Sequence, residues 1–317
     1  MNKVLPEEID DQWILARRPA KNPVNPTKPY AYLSEKERTA NGQIEDVATI
    51  FLTNRECPFR CLMCDLWKNT TDNRVPEGAV PGQIQWALDR LPAAQHLKLY
   101  NSGSFFDRQA IPPADIPKIA ELLSDFRSVT VESHPRLVDG HCLAFNDLLQ
   151  PSLHVAMGLE TVHPEVLRLL NKRMTLKDFE RATAFLVKND ISVRAFILLR
   201  PPFLTESEGI KWAKRSIDFA FQTGVECCVI IPTRGGNGAL EYLRKKQLFR
   251  PPGIESLEEV LEYGIQLRYG RVFADLWDID LFSRCDKCRD KRAQRLRRMN
   301  LSQELAPPVN CDCESNS

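Results

Sequence analysis

Between residues 47 and 231, short apolar runs alternate with stretches whose apolar positions recur at helical spacing. The short runs occupy residues 47–54, 96–100, 128–133, 153–160, 193–199 and 226–231, and each has the length of a buried strand. The helical stretches are marked by Ile84, Ala87, Leu88 and Leu91, then by Ile116, Ile119, Ala120, Leu122 and Leu123. Thr175 is placed to cap a helix with Leu176, Phe179, Thr183 and Leu186 on one face, and another helix spans about residues 206–221. The pattern predicts six βα repeats of about 30–40 residues each, the rhythm of a parallel barrel or wound sheet. In such barrels the chemistry collects at the carboxyl ends of the strands. Residues 101–104, Glu132, Glu160, Arg200 and residues 232–236 all fall at such ends.

The flanks read differently. Residues 1–45 are polar and broken by Pro19, Pro23, Pro26 and Pro29, which predicts a leader or lid over a barrel end. Residues 46–250 form the expected barrel, and residues 251–317 a C-terminal extension. The composition, with 43% hydrophobic and 27% charged residues, is that of an ordinary globular protein, and the net charge of +1 announces neither nucleic acid nor membrane. No apolar run approaches the ~18–20 residues needed to span a bilayer. The first residues lack a signal-peptide layout, so ten cysteines in short clusters read as metal ligands in a reducing cytoplasm.

The first cluster follows the first strand immediately: Cys57, Cys61 and Cys64, spaced Cys-x3-Cys-x2-Cys, without a fourth Cys or His nearby. Three thiolates on one loop can hold three corners of a cubane iron–sulfur cluster and leave one iron open to a small molecule. Structural zinc ordinarily takes four protein ligands; a zinc loop or three plain buried thiols are the alternatives.

This loop resembles the signature of the radical S-adenosylmethionine enzymes. The resemblance implies a partial (β/α)6 barrel, a [4Fe–4S] cluster on Cys57, Cys61 and Cys64, and S-adenosylmethionine chelated at the open iron. One electron from a donor such as flavodoxin or ferredoxin would release a 5′-deoxyadenosyl radical. Met63 stands where many members carry an aromatic residue, and is grouped with the cofactor-binding positions. Asn101, Ser102, Gly103 and Ser104 occupy the place of the glycine-rich motif, although the usual Gly-Gly-Glu is absent. Glu160, in Gly158-Leu159-Glu160-Thr161, is similar to the residue that holds the ribose hydroxyls. Arg194 and Arg200 are candidates for the cofactor carboxylate, to which a guanidinium binds through two hydrogen bonds. Together with residues 198–206, these segments resemble the branch near the elongator catalytic subunit, and most of all the radical subunits of archaeosine synthases. That likeness implies carbon–nitrogen bond cleavage on a lysine-bearing 7-deazaguanine in tRNA. Radical modification of a protein or small metabolite stays open, as does a non-catalytic, metal-stabilised RNA-binding protein.

The extension carries Cys285, Cys288, Cys311 and Cys313, four sulfurs suited to zinc or a second iron–sulfur cluster. Between them, residues 289–298 are strongly basic and read either as an RNA phosphate contact or as a solvated helix face. Lys172, Arg173 and Arg234 could meet phosphate or a carboxylate, although single basic residues more often read as plain surface, and His134 and His154 read as satisfied structural groups.

Overall fold

The computed structural model describes residues 8–311 and Cys313. Residues 1–7 of the expected leader lie outside the described residues. Eight strands run β1 (Ala31–Arg38), β2 (Ile44–Phe51), β3 (His96–Tyr100), β4 (Ser128–Ser133), β5 (Ser152–Glu160), β6 (Ser192–Leu199), β7 (Cys227–Pro232) and β8 (Arg271–Ala274). They form one sheet in sequential order, parallel from β2 onward, with β1 antiparallel to β2. Between them lie α1 (Asp11–Leu15), α2 (Ala79–Leu88), α3 (Ile116–Leu122), α4 (Gly140–Asn146), α5 (Pro164–Leu169), α6 (Leu176–Lys188), α7 (Glu206–Gln222), α8 (Ala239–Lys245) and α9 (Ile254–Leu267), with α10 (Arg289–Ser302) last. The architecture is a partial barrel, as the βα rhythm predicts. All six expected strands are present, and Thr175 caps α6 in a capping box with Asp178.

The sheet has one more strand at each end than the six-strand expectation. β1 lies inside the stretch read as a polar leader. Its sequence, Ala-Tyr-Leu-Ser-Glu-Lys-Glu-Arg, is charged because Glu35 and Glu37 reach buried cations: Lys98 is paired with both, and Arg194 with Glu37. Past residue 250 the alternation continues through α9 and β8. The open edge of β8 is then covered by amide side chains of α10. Asn300 and Gln303 each bond one N–H and one C=O of that edge, at Ala274 and Val272, over 2.8–2.9 Å. An uncovered edge invites pairing with other chains, and these four bonds remove it.

Two apolar clusters hold the molecule. The larger packs outward-facing strand residues such as Ile50, Leu99, Val131 and Ile197 against the surrounding helices. The smaller gathers Ile14 of α1, Leu62, Leu169 and Leu170, Leu198 and Leu240. Leu62 belongs to the cysteine loop itself and is fully buried, so the loop is anchored by a core residue between two of its thiols. The N-terminal segment is therefore a packed clasp across this end of the barrel.

Candidate metal and cofactor site

The loop bearing Cys57, Cys61 and Cys64 leaves the carboxyl end of β2 and is fixed through its backbone. Leu62 N donates to Leu170 O (2.8 Å). The buried amide of Asn237 donates to Leu62 O (2.7 Å) and Cys64 O (3.2 Å). The Trp67 indole donates to Cys64 O (3.0 Å). Asn237 carries no signal in the sequence, because its partners are main-chain atoms 173 and 175 residues away.

Burial pushes each of the three thiols up to about 12, and a charge on one disfavours ionisation of the next. Lys172 opposes this at Cys57 and Cys61. Bare, the trio stays protonated; a bound iron cluster would reverse that preference and take thiolates. Three half-buried soft donors on one loop are the donor set that a site-differentiated cluster would take.

The turn after β3 lies directly against this loop. A Cβ on Gly103 would stand 3.1 Å from Cys57 Cβ and 3.6 Å from its Sγ, so a larger residue would press on the ligand. Asn101 is fully buried, and neither atom of its side-chain amide has a partner among the described residues. Buried amides left unpaired are costly, which marks this one as awaiting a ligand. Glu132, at the end of β4, accepts from Asn101 N (2.5 Å) and Gly103 N (3.2 Å), bringing a carboxylate to a motif whose own sequence lacks one. Desolvation pushes that carboxyl up to about 7, against the pull of the backbone N–H groups. Ser102 Oγ meets Tyr30 Oη at 3.0 Å, and Ser104 Oγ meets Ser133 Oγ at 2.9 Å.

Glu160 ends β5 in a left-handed conformation (φ 64°) and is buried. It accepts from Lys172 Nζ at 2.5 Å. Lys172 is thus an interior residue, and its reading as plain surface is corrected. Burial works against its charge, yet Glu160 together with Cys61 and Cys57 outweighs this and holds its pKa above the usual lysine range. A Cβ on Gly158 would overlap both Glu160 Oε1 and Lys172 Nζ, which explains the glycine. His134 is satisfied as expected: Nε2 meets Lys172 O at 2.9 Å, and its ring stacks on Phe59 with centroids 3.7 Å apart. Met63 is half-buried against the smaller apolar cluster.

Two expected cofactor contacts are not brought to the site. Arg194 lies five residues before the end of β6, where its guanidinium is paired with Glu37. The sequence alternation around Arg194 could not reveal that β1 supplies this acid. Arg200 follows the last residue of β6, but it is engaged by Glu206 and Pro251 O (2.8 Å), tying α7 to the segment before α9. Arg234 pairs with Asp275 at 2.5 Å.

At the far end of the chain, Cys285, Cys288, Cys311 and Cys313 converge. The Cys285–Cys311 and Cys288–Cys313 sulfurs are each 3.8 Å apart, and all four lie within 4.8 Å. The basic helix between them is two-faced. Arg292 and Arg295 are buried against Glu258, and Arg295 also meets Glu262 (2.5 Å) and Ala306 O (2.6 Å). Lys287, Lys291, Arg297 and Arg298 remain exposed.

No protein-family model matches the chain. Its fold is shared with the archaeal Elp3 of Methanocaldococcus infernus, at a TM-score of 0.53 and 14% identity over 69% of this chain and 59% of that one. It is shared equally with Streptococcus suis SuiB bound to S-adenosylmethionine, at 0.51 and 13% over 70% of this chain and 48% of that one. The fold is thus the partial barrel of these solved structures, and the three-cysteine loop follows the carboxyl end of its first parallel strand. In sequence the chain is similar to the archaeosine synthase subunit beta of Thermococcus kodakarensis, 30% identical over 211 residues, covering 63% of this chain and 65% of that protein. The corresponding subunit of Methanosarcina acetivorans is 28% identical over 233 residues, 69% of this chain and 66% of that protein. The chain thus spans just under two thirds of both archaeosine synthase subunits. An uncharacterised protein of Methanocaldococcus jannaschii is 24% identical over 313 residues, 91% of this chain and 85% of that one. Among the described residues, no helix is long and apolar enough to cross a membrane.

Proposed function

We propose that the chain is a radical S-adenosylmethionine enzyme acting on a modified base of tRNA. The observation that carries the first half is the half-buried three-thiol loop at the carboxyl end of β2, wedged against Gly103 and beside the Glu160–Lys172 pair. When bound there, a [4Fe–4S] cluster and S-adenosylmethionine supply one-electron cleavage of the sulfonium to a 5′-deoxyadenosyl radical. Cys57, Cys61 and Cys64 act as the three protein ligands. Asn101, with its unpartnered amide, and the 101–104 turn bind the methionyl end, and Glu132 holds that turn in shape. Glu160 accepts from the ribose hydroxyls, and Lys172 orients it. Leu62, Met63 and the N-terminal clasp exclude water. Arg194 and Arg200 take no part in cofactor binding.

The tRNA half is supported by the likeness to archaeosine synthase subunit beta. Such a substrate implies a cytoplasmic enzyme with a partner subunit and a small redox protein as electron donor. The four C-terminal cysteines bind one zinc ion in this reading. A tetrahedron of thiolates about 2.3 Å from zinc has edges of about 3.8 Å, matching the two closest sulfur pairs. Comparing tRNA nucleosides from wild-type and deletion strains tests the substrate. A missing or accumulating 7-deazaguanine derivative supports it, and identical profiles, with no tRNA binding at low salt, contradict it.

A further inference from the structure

The mouth of the barrel carries an aromatic ring that neither the cluster nor the cofactor uses. Trp277 stands three residues past the end of β8 and is 53% exposed, although it is one of the largest apolar side chains in the molecule. It is nevertheless firmly held. Its backbone N donates to Asp275 Oδ1 (3.1 Å), Asp275 is clamped by Arg234, and Ile279 and Phe282 bury the following turn. Its ring meets Phe51, the last residue of β2, edge-on at 6.4 Å. Phe51 meets Tyr100 at 5.9 Å, and Tyr100 meets Phe196 at 6.1 Å. Phe51, Tyr100 and Phe196 are only half-buried, so they are not part of the sealed core. An aromatic series therefore runs from Trp277 through Phe51, six residues before Cys57, to Phe196 on β6.

Each contact in this series is edge-to-face and so covers at most one face of one ring, and the exposure of Trp277 leaves ring surface open for stacking. An aliphatic or peptide substrate needs no such face. A planar heteroaromatic ring does, and every nucleobase has one. The Arg234–Asp275 pair beside Trp277 offers one donor group and one carboxylate to the polar edge of such a ring. We propose that Trp277 is the stacking platform for the nucleobase of the substrate. This deepens the tRNA-base reading and rests on it for the chemistry performed, but not for the binding itself.

The test uses the full chain with 7-deazaguanosine as the probe, in wild type, Trp277→Phe and Trp277→Leu, with affinities from calorimetric titration and folding checked by thermal melting. Loss of a base–aromatic stack weakens binding by about 5- to 150-fold. The Leu variant should fall in that range with an unchanged melting temperature, and Phe should keep most of the affinity. Equal binding by wild type and Leu overturns the proposal, as does equal loss in Phe and Leu, or absence of binding in wild type. Nucleoside profiles of a deletion strain read the tRNA reading separately. Unchanged profiles alongside Trp277-dependent binding would sink that reading and keep the platform. Altered profiles alongside Trp277-independent binding would sink only the platform.

Discussion

Replacing Glu160 by Gln leaves Lys172 charged in a site where both side chains are only 8% exposed. An exposed pair contributes about 0–1 kcal/mol, whereas stranding one partner of a buried pair costs about 3–5 kcal/mol. The 8% figure puts this pair in the second regime. Lys172→Met should cost a similar amount, because it strands the carboxylate instead. The two together remove both charges, so the double variant should lose about 1–3 kcal/mol less than the sum of the singles. The pKa of Lys172 is raised, so its contribution is complete below the ordinary lysine value of about 10.4 and is lost only above the raised one. The deficit of the Glu160 variant should therefore be flat from pH 6 to about 9. Anaerobic guanidinium unfolding of the four proteins measures this. Single variants each within about 1 kcal/mol of wild type, with additive effects, would refute the buried-pair reasoning.

Three further outcomes follow from the geometry. Glu132 has its folded pKa raised to about 7 from 4.5, so the folded chain binds more protons between these values. Stability should fall as pH rises through that window, and Glu132→Gln should flatten the fall; an unaltered slope in urea unfolding contradicts the assignment. Cys288→Ser should remove the zinc, read by metal analysis, while leaving iron on the first loop; retention of one zinc per chain would count against the four-thiol site. Arg295→Ala should destabilise the fold by about 2 kcal/mol or more through its lost pairing with Glu258 and Glu262. Its effect on tRNA affinity should be smaller than that of replacing exposed Arg297 and Arg298, as filter binding at two salt concentrations can show.

The barrel was legible because its strands are buried on both faces and its helices bury apolar stripes, with Thr175 capping α6, all of which leave local patterns. β1 was not, since a strand whose glutamates meet buried cations looks like polar linker until Lys98 and Arg194 are seen beside it. The three thiols announced themselves by spacing, as did the four at the far end. Arg194 and Arg200 were expected at the cofactor carboxylate because a guanidinium suits such a ligand; the acids that pair with them, Glu37 and Glu206, could not be matched to them from the sequence. Lys172, Glu132 and Trp277 gain meaning only from neighbours distant in sequence. The basic run was half concealed for the same reason: helical phase turns Arg292 and Arg295 inward, onto α9.

The central claim is that Cys57, Cys61 and Cys64 hold one open-cornered cluster. Low-temperature electron paramagnetic resonance of the anaerobically reconstituted, reduced protein tests it most directly, with and without S-adenosylmethionine. A [4Fe–4S]⁺ signal that shifts on adding S-adenosylmethionine, and that vanishes when all three cysteines are replaced by Ala while the C-terminal zinc is retained, is the predicted result. A signal that survives the triple replacement, or that is indifferent to S-adenosylmethionine, would contradict the account.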